Sequence, residues 1–236
     1  MEEALKIFND YYSKFDSNKY GIKMKYDHTM RVVNYSKRIA ESLNLSKEDI
    51  ELACKCGLYH DIARFKQWEE YDTFLDALSF DHGDEGYNIL KEIEIDDQII
   101  LLSTKYHNKY KIDEELDDRT KLFCNITRDA DKLDILISQC NKKIDEKITI
   151  DESIINCFKN HSLLQNVDRR DAKEYLYILR ELAFIFDINY KESFNIIKKE
   201  DFVNKKCDLI NSDEIDTIRY ICNKYIDERV SDNYVR

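Results

Sequence analysis

Histidine and aspartate residues able to bind a metal ion recur along the first 131 residues of the chain. In chain order, these candidates are His28, His60, Asp61, His82, His107 and Asp131. Imidazole and carboxylate together suit Mn, Fe, Co, Ni or Zn, and a ligand set without thiolate favours a reactive centre over a structural zinc site. We therefore expect one or two divalent transition-metal ions as the cofactor.

The stretch "GLYHDIAR", residues 57–64, places His60 and Asp61 side by side at the end of an apolar helical run. Adjacent residues of a helix point about 100° apart and do not share a face. At a helix end the backbone can bend, so that both side chains converge on one point. His28 is likewise predicted at a helix end, as the first residue of a helix capped by Asp27.

The chain is predicted to be all-α, because it contains four glycines and no proline to make the tight turns of a sheet protein. Apolar residues at intervals of three and four predict its helices. These cover residues 3–16, 28–43, 46–60, 82–93, 96–107, 117–140, 151–159, 171–187, 191–199 and 212–230. Residues 64–82 are predicted to be mostly loop and short turns, and no segment alternates as a strand would.

The length and composition of the chain favour some classes of protein over others. A length of 236 residues suits one domain, and a net charge of −11 argues against a nucleic-acid partner. No apolar run reaches the roughly 20 residues of a membrane span, and the acidic start does not resemble a secretory signal, so we expect no membrane association and a cytoplasmic location. The seven scattered cysteines lack a zinc-ribbon spacing and are predicted to be reduced and structural.

Five motifs together resemble the successive motifs of the HD-domain superfamily of metal-dependent phosphohydrolases. They are "DHTMRV", "LYHDIARF", "DHGDEGYNIL", "KYHNKY" and "RDADKLDIL", spread over residues 25–140. The resemblance implies a helical metal-binding core in that range, with one ion held by His28, His60, Asp61 and Asp131. We place the last ligand at Asp131 because its neighbour Asp129 lies about 200° round the helix and would face away.

The two remaining histidines bear on the number of ions. In family members with this arrangement, the aspartate of the pair bridges two ions and the additional histidines hold the second one. The resemblance therefore implies a second ion on His82 and His107, with Asp61 as the bridge. The cyclic-dinucleotide phosphodiesterases of the HD-GYP branch match less well, since "YHN" at residues 106–108 has one histidine where they have two and the chain has no proline.

The chemistry expected of such a centre is cleavage of a phosphate ester by metal-activated water, in a nucleotide or another small phosphorylated metabolite. Asp61 is the central catalytic residue, and Arg64 and Lys132 are candidates for binding the phosphate. We expect the ligand histidines to be oriented by the carboxylate of Asp81, Asp84 or Asp134.

Two other functions stay open at this point. The same six ligands occur in HD-domain proteins that resemble mixed-valent di-iron oxygenases, and a metal site can also serve a nucleotide-sensing binding protein. Residues 141–236 are predicted to be a helical extension of the single domain, 1–236, that shapes the mouth of the pocket. The sequence leaves the oligomeric state and the substrate undetermined.

Overall fold

Helices account for nearly all the regular structure of the chain. The structure, a computed structural model, describes residues 1–138, 142–165, 167 and 172–231. Twelve α-helices follow one another along these residues: α1 (Glu2–Tyr12), α2 (Tyr20–Ser42), α3 (Lys47–Tyr59), α4 (Ala63–Tyr71), α5 (His82–Glu92), α6 (Gln98–Tyr106), α7 (Asp118–Ser138), α8 (Glu152–Lys159), α9 (Glu174–Ala183), α10 (Lys191–Lys199), α11 (Phe202–Cys207) and α12 (Ile215–Ser231). Short 3-10 helices cover Asp76–Leu78 and Phe184–Asp187. The all-α prediction is confirmed; within the described residues β-type pairing is confined to one isolated bridge, Ile144 to Ile210.

Side-chain caps fix where several helices begin. The hydroxyl of Ser46 accepts a hydrogen bond of 3.1 Å from the backbone N–H of Asp49 at the start of α3. The carboxylate of Asp97 accepts from the N–H groups of Ile99 and Ile100 at the start of α6, at 2.9 and 3.2 Å. Each cap pairs N–H groups that have no partner within the helix, typically worth about 1 kcal/mol of stability.

Three helix predictions are wrong. Helix α2 begins at Tyr20 and not at residue 28, so Asp27 lies inside it, and α11 was not predicted at all. Helix α4 occupies nine residues that were predicted as loop. Its charged residues obscured the apolar period, but Phe65 is fully buried and its ring packs against those of residues 8, 12 and 15 of α1 and the following turn.

The chain divides into two compact units, Met1–Asp131 and Lys132–Arg236. In the first unit, α2 packs against α3 and α4, and α5 packs against α6. In the second, α12 packs against α8, α10 and α11. The second unit also encloses an ion pair, with the ammonium of Lys206 2.5 Å from the carboxylate of Glu181.

Two sequence predictions concern the chain as a whole. The six cysteines among the described residues are free thiols, and Cys140 lies outside those residues. No helix in the described residues is long and apolar enough to cross a membrane. The predicted cytoplasmic location and the predicted role of residues 141–236 stay predictions.

Gly21, in the first turn of α2, allows α4 to approach closely. A Cβ atom at this position would lie 2.1 Å from Cδ2 of Trp68 and 2.3 Å from its Cε2. The indole ring is rigid, and it also packs against Phe74 with the ring centroids 4.7 Å apart. The absence of a side chain at Gly21 therefore serves helix packing.

We predict that Gly21→Ala lowers the free energy of unfolding by about 2 kcal/mol. Alanine gains up to about 1 kcal/mol in helix propensity, but overpacking against a rigid ring costs about 3 kcal/mol. Urea unfolding monitored by circular dichroism measures the difference. Lys23→Ala, on the exposed side of the same helix, is the control; a Gly21→Ala protein as stable as this control would contradict the packing argument.

Candidate metal centre

Three segments of the first unit bring four of the six candidate ligands together. His28 lies in the middle of α2, which corrects the prediction that it begins a helix. His60 and Asp61 directly follow the last residue of α3, and Asp131 lies on α7. All four offer a ligand atom within 4.8 Å of the others. We refer to His28, His60, Asp61 and Asp131 as the first cluster.

The ligand atoms of the first cluster point at one another. Nε2 of His28 lies 3.2 Å from Nε2 of His60 and 3.2 Å from Oδ1 of Asp131. Oδ2 of Asp61 lies 3.4 Å from Nε2 of His28 and 3.5 Å from Nε2 of His60. The three side chains of His28, His60 and Asp61 are buried, and that of Asp131 is 17% exposed. The cluster therefore has one partly open side.

The other two histidines form a second cluster with Asp61. Nε2 of His82 lies 3.0 Å from Nε2 of His107. Oδ1 of Asp61 lies 3.4 Å from Nε2 of His107 and 3.6 Å from Nε2 of His82. Asp61 thus turns Oδ2 to the first cluster and Oδ1 to the second, which is the arrangement of a bridging carboxylate.

These separations fit metal coordination. Two ligand atoms that each lie about 2.1 Å from one ion, at an angle of about 90° to 109°, are about 3.0 to 3.4 Å apart. In both clusters, each imidazole Nε2 lies 3.0 to 3.7 Å from its partner Nε2 and from the carboxylate oxygens that face it. Imidazole and carboxylate ligands of this kind suit divalent transition metals. The six side chains therefore have the spacing and the chemistry to hold two ions.

Hydrogen bonds to the outer ring nitrogens orient two of the histidines. Nδ1 of His60 donates to the carbonyl of Gly57 at 2.8 Å, and Nδ1 of His107 donates to the carbonyl of Thr104 at 2.6 Å. Both acceptors lie in the last turn of a helix, where carbonyl groups lack partners within the helix. With the proton on Nδ1, Nε2 presents a lone pair to its cluster. Such second hydrogen bonds are typical of metal-binding histidines.

Electrostatics favour the protonation states that metal binding requires. Burial lowers the pKa of His60, and burial together with the charge of Arg64 lowers the pKa of His82 to about 4. Burial alone would raise the pKa of Asp61, but nearby positive charge, with Lys25 the largest contribution, holds it well below its usual range. At neutral pH these two imidazoles are neutral and the carboxylate is ionised, as ligands must be.

The two predicted phosphate ligands are both engaged with protein groups. Nη1 of Arg64 donates to Gln67 at 2.6 Å, to the carbonyl of Phe74 at 2.7 Å and to Asp76 at 3.0 Å. Lys132, in the second unit, pairs with a carboxylate on the 3-10 helix Phe184–Asp187 at 2.9 Å. Their roles in binding substrate stay predictions.

The carboxylate found against a ligand histidine was not among those predicted. Asp76 lies 2.6 Å from Nδ1 of His82. Asp81 instead caps α5, and its carboxylate and that of Asp84 both contact the ammonium of Lys109. No motif marks Asp76 in the sequence, because it lies in the segment that was predicted to be loop. The prediction for Asp134 stays a prediction.

Sequence reasoning also missed Lys25. Its ammonium donates to Oδ2 of Asp61 at 2.7 Å and lies over the ring of Phe74, 5.3 Å from the centroid. Lys25 precedes His28 by three residues, a spacing that puts two side chains on one helix face. This spacing can be recognised only when α2 is known to begin before residue 25.

Helices α5 and α6 approach closely beside the second cluster. Gly83 follows His82, and a Cβ atom there would lie 2.4 Å from Oδ1 of Asn108 and 2.7 Å from the carbonyl oxygen of Lys105. The second of these is a backbone atom that cannot turn away. The absence of a side chain at residue 83 therefore lets the end of α6 bring His107 up to His82.

Comparison with known proteins agrees with this geometry. Residues 26–136 match the family model of the HD domain. No curated protein and no solved structure matches the chain. The matched range begins before His28 and ends after Asp131, so it contains both clusters. Residues 26–136 therefore form an HD domain, which confirms the family resemblance of the sequence motifs.

Proposed function

We propose that the protein hydrolyses a phosphate ester in a nucleotide or another small phosphorylated metabolite, with two divalent transition-metal ions as cofactor. The observation that supports this most is the position of Asp61, whose two carboxylate oxygens face different pairs of imidazoles. When bound in such a site, a pair of ions lowers the pKa of a water molecule and neutralises charge on the phosphoryl oxygens.

Each of the six candidate ligands is assigned to one ion or to both. His28, His60 and Asp131 would hold one ion, His82 and His107 would hold the other, and Asp61 would offer one oxygen to each. Burial of most of these side chains excludes water from all but one side of the site, and this strengthens the electrostatic interactions inside it.

Lys25 is the cation best placed to bind the phosphate of the substrate. Its side chain is 12% exposed, and its ammonium reaches the edge of the first cluster at Asp61. Among the described contacts, Asp61 is its one carboxylate partner, whereas Nη1 of Arg64 already has three acceptors. An ammonium group has three donors, so Lys25 can contact Asp61 and an anionic substrate together.

We predict phosphate release from a panel of nucleotides and phosphoesters in the presence of Mn²⁺ or Co²⁺, and its loss in Asp61→Ala. Removing the shared carboxylate takes one ligand from each cluster, so the variant also loses bound metal, as measured by elemental analysis. Asp96→Ala removes an exposed carboxylate from the same unit and is expected to behave as the unaltered protein.

An Asp61→Ala protein that retains activity would contradict the assignment of the centre. A different result separates hydrolysis from the di-iron alternative, which the same ligands can serve. Two iron ions after anaerobic purification, with an absorption band that changes on adding oxygen and with no phosphate released from any substrate, would favour an oxygenase. Tight nucleotide binding with no turnover would favour the sensing protein.

We predict that Lys25→Ala lowers kcat/KM by about 100-fold, the scale of losing one preorganised charge contact to the transition state. Metal affinity should be unchanged or higher, since the ammonium no longer competes for Asp61. Steady-state kinetics and metal titration together measure this. Lys25→Arg should restore part of the activity, and Lys23→Ala is the control; unchanged kcat/KM in Lys25→Ala would contradict the role.

A further inference from the structure

The segment between α4 and α5 carries a carboxylate in contact with one ligand histidine. Asp76 begins the 3-10 helix Asp76–Leu78, and its side chain is 31% exposed. Oδ2 of Asp76 lies 2.6 Å from Nδ1 of His82 and 3.4 Å from the backbone nitrogen of the same residue. The contact therefore involves both the ring and the backbone at the start of α5.

His82 needs such a partner because of its position in a helix. His60 and His107 follow the ends of helices and donate to carbonyl groups of the last turn. His82 is the first residue of α5, and the first turn of a helix presents N–H groups and no unpaired carbonyls. The acceptor for its Nδ1 proton must come from another segment, and Asp76 supplies it.

Both carboxylate oxygens of Asp76 accept hydrogen bonds from N–H groups. Oδ1 accepts from Nη1 of Arg64 and from Nε2 of Gln67, both at 3.0 Å. Oδ2 accepts from the side-chain amide of Asn108 at 3.3 Å, in addition to the backbone N–H of His82. Helix α4 contributes Arg64 and Gln67, so two donors from a separate helix hold the carboxylate.

We infer that Asp76 is the positioning residue for the second metal ion: it fixes the ring of His82 with the proton on Nδ1 and the lone pair of Nε2 turned to His107. This inference rests on the proposed two-ion centre. Arg64 and Gln67 take part by holding Asp76 in place. Among the described contacts, Asp76 touches none of the three ligand atoms of the second cluster.

An amide in place of the carboxylate cannot satisfy this arrangement. It has one accepting and one donating end, while both oxygens of Asp76 meet donors. With its NH₂ group towards His82, the imidazole must accept on Nδ1 and carry its proton on Nε2, which then cannot bind a cation. With the NH₂ group reversed, it opposes the donors Arg64 and Gln67 and loosens the side chain.

The test compares Mn²⁺ titrations of Asp76→Asn, Asp81→Asn, His82→Ala and the unaltered protein by calorimetry. We expect two ions per chain in the unaltered protein. In Asp76→Asn the weaker of the two sites should lose affinity by 10- to 100-fold, on the scale known for second-shell partners, while the other site keeps its affinity. His82→Ala should bind one ion.

Asp81→Asn is the matched control and should bind two ions with unchanged affinity. It removes the same charge one residue from His82, its amide can still cap α5, and Asp81 does not contact the imidazole among the described hydrogen bonds. A purely structural role for Asp76 would lower the melting temperature and leave both affinities as they are, so thermal unfolding is recorded beside each titration.

The proton position can also be measured without any variant. In the unaltered, metal-free protein, the side-chain ¹⁵N shifts of His82 should show the proton on Nδ1. A proton on Nε2, or two unchanged affinities in a folded Asp76→Asn protein, would overturn the inference while leaving the two-ion centre intact. Binding of a single ion by the unaltered protein would instead contradict the proposed two-ion centre, and the role of Asp76 with it.

Discussion

Imidazole nitrogens that face one another across buried gaps are the constraint on which this site depends. The Nε2 atoms of His28 and His60 are 3.2 Å apart, and those of His82 and His107 are 3.0 Å apart. Two unprotonated nitrogens at such a distance repel each other unless a positive charge lies between them. Asp61 brings negative charge to both gaps, one oxygen for each. With the proton of each ring on Nδ1, the arrangement is therefore unfavourable as packing alone and favourable as a place for cations.

The helical frame makes this arrangement possible at little cost in backbone strain. Two of the four histidines follow the last residue of a helix and use carbonyl groups that the helix leaves unpaired. The ends of α3 and α6 thus orient His60 and His107 with no additional side chain. His28, in mid-helix, is held by the helix itself, and His82, at a helix start, depends on Asp76.

The sequence predicted the all-α class and singled out six side chains that the structure gathers in two clusters, because metal-ligating residue types in motif order are a specific signal. The sequence prediction failed where packing between segments distant in the chain determines the structure. The predicted helix started at residue 28, although α2 already begins at Tyr20 and packs Gly21 against Trp68, and α4 was hidden by its charged residues. Both errors concealed parts of the site: Lys25 lies on the stretch of α2 that was missed, and Asp76 follows α4. Neither contact has a local pattern, since each joins segments distant in the chain.

The close approach at Gly83 has a consequence for reading other sequences of this kind. Any side chain there would collide with a backbone oxygen of the neighbouring helix, so the two histidines of the second cluster can meet only where this residue is glycine. In a relative that keeps both histidines but carries a larger residue after the first, the helices must stand farther apart. Such a chain is a candidate for a mononuclear enzyme, however complete its set of ligands looks.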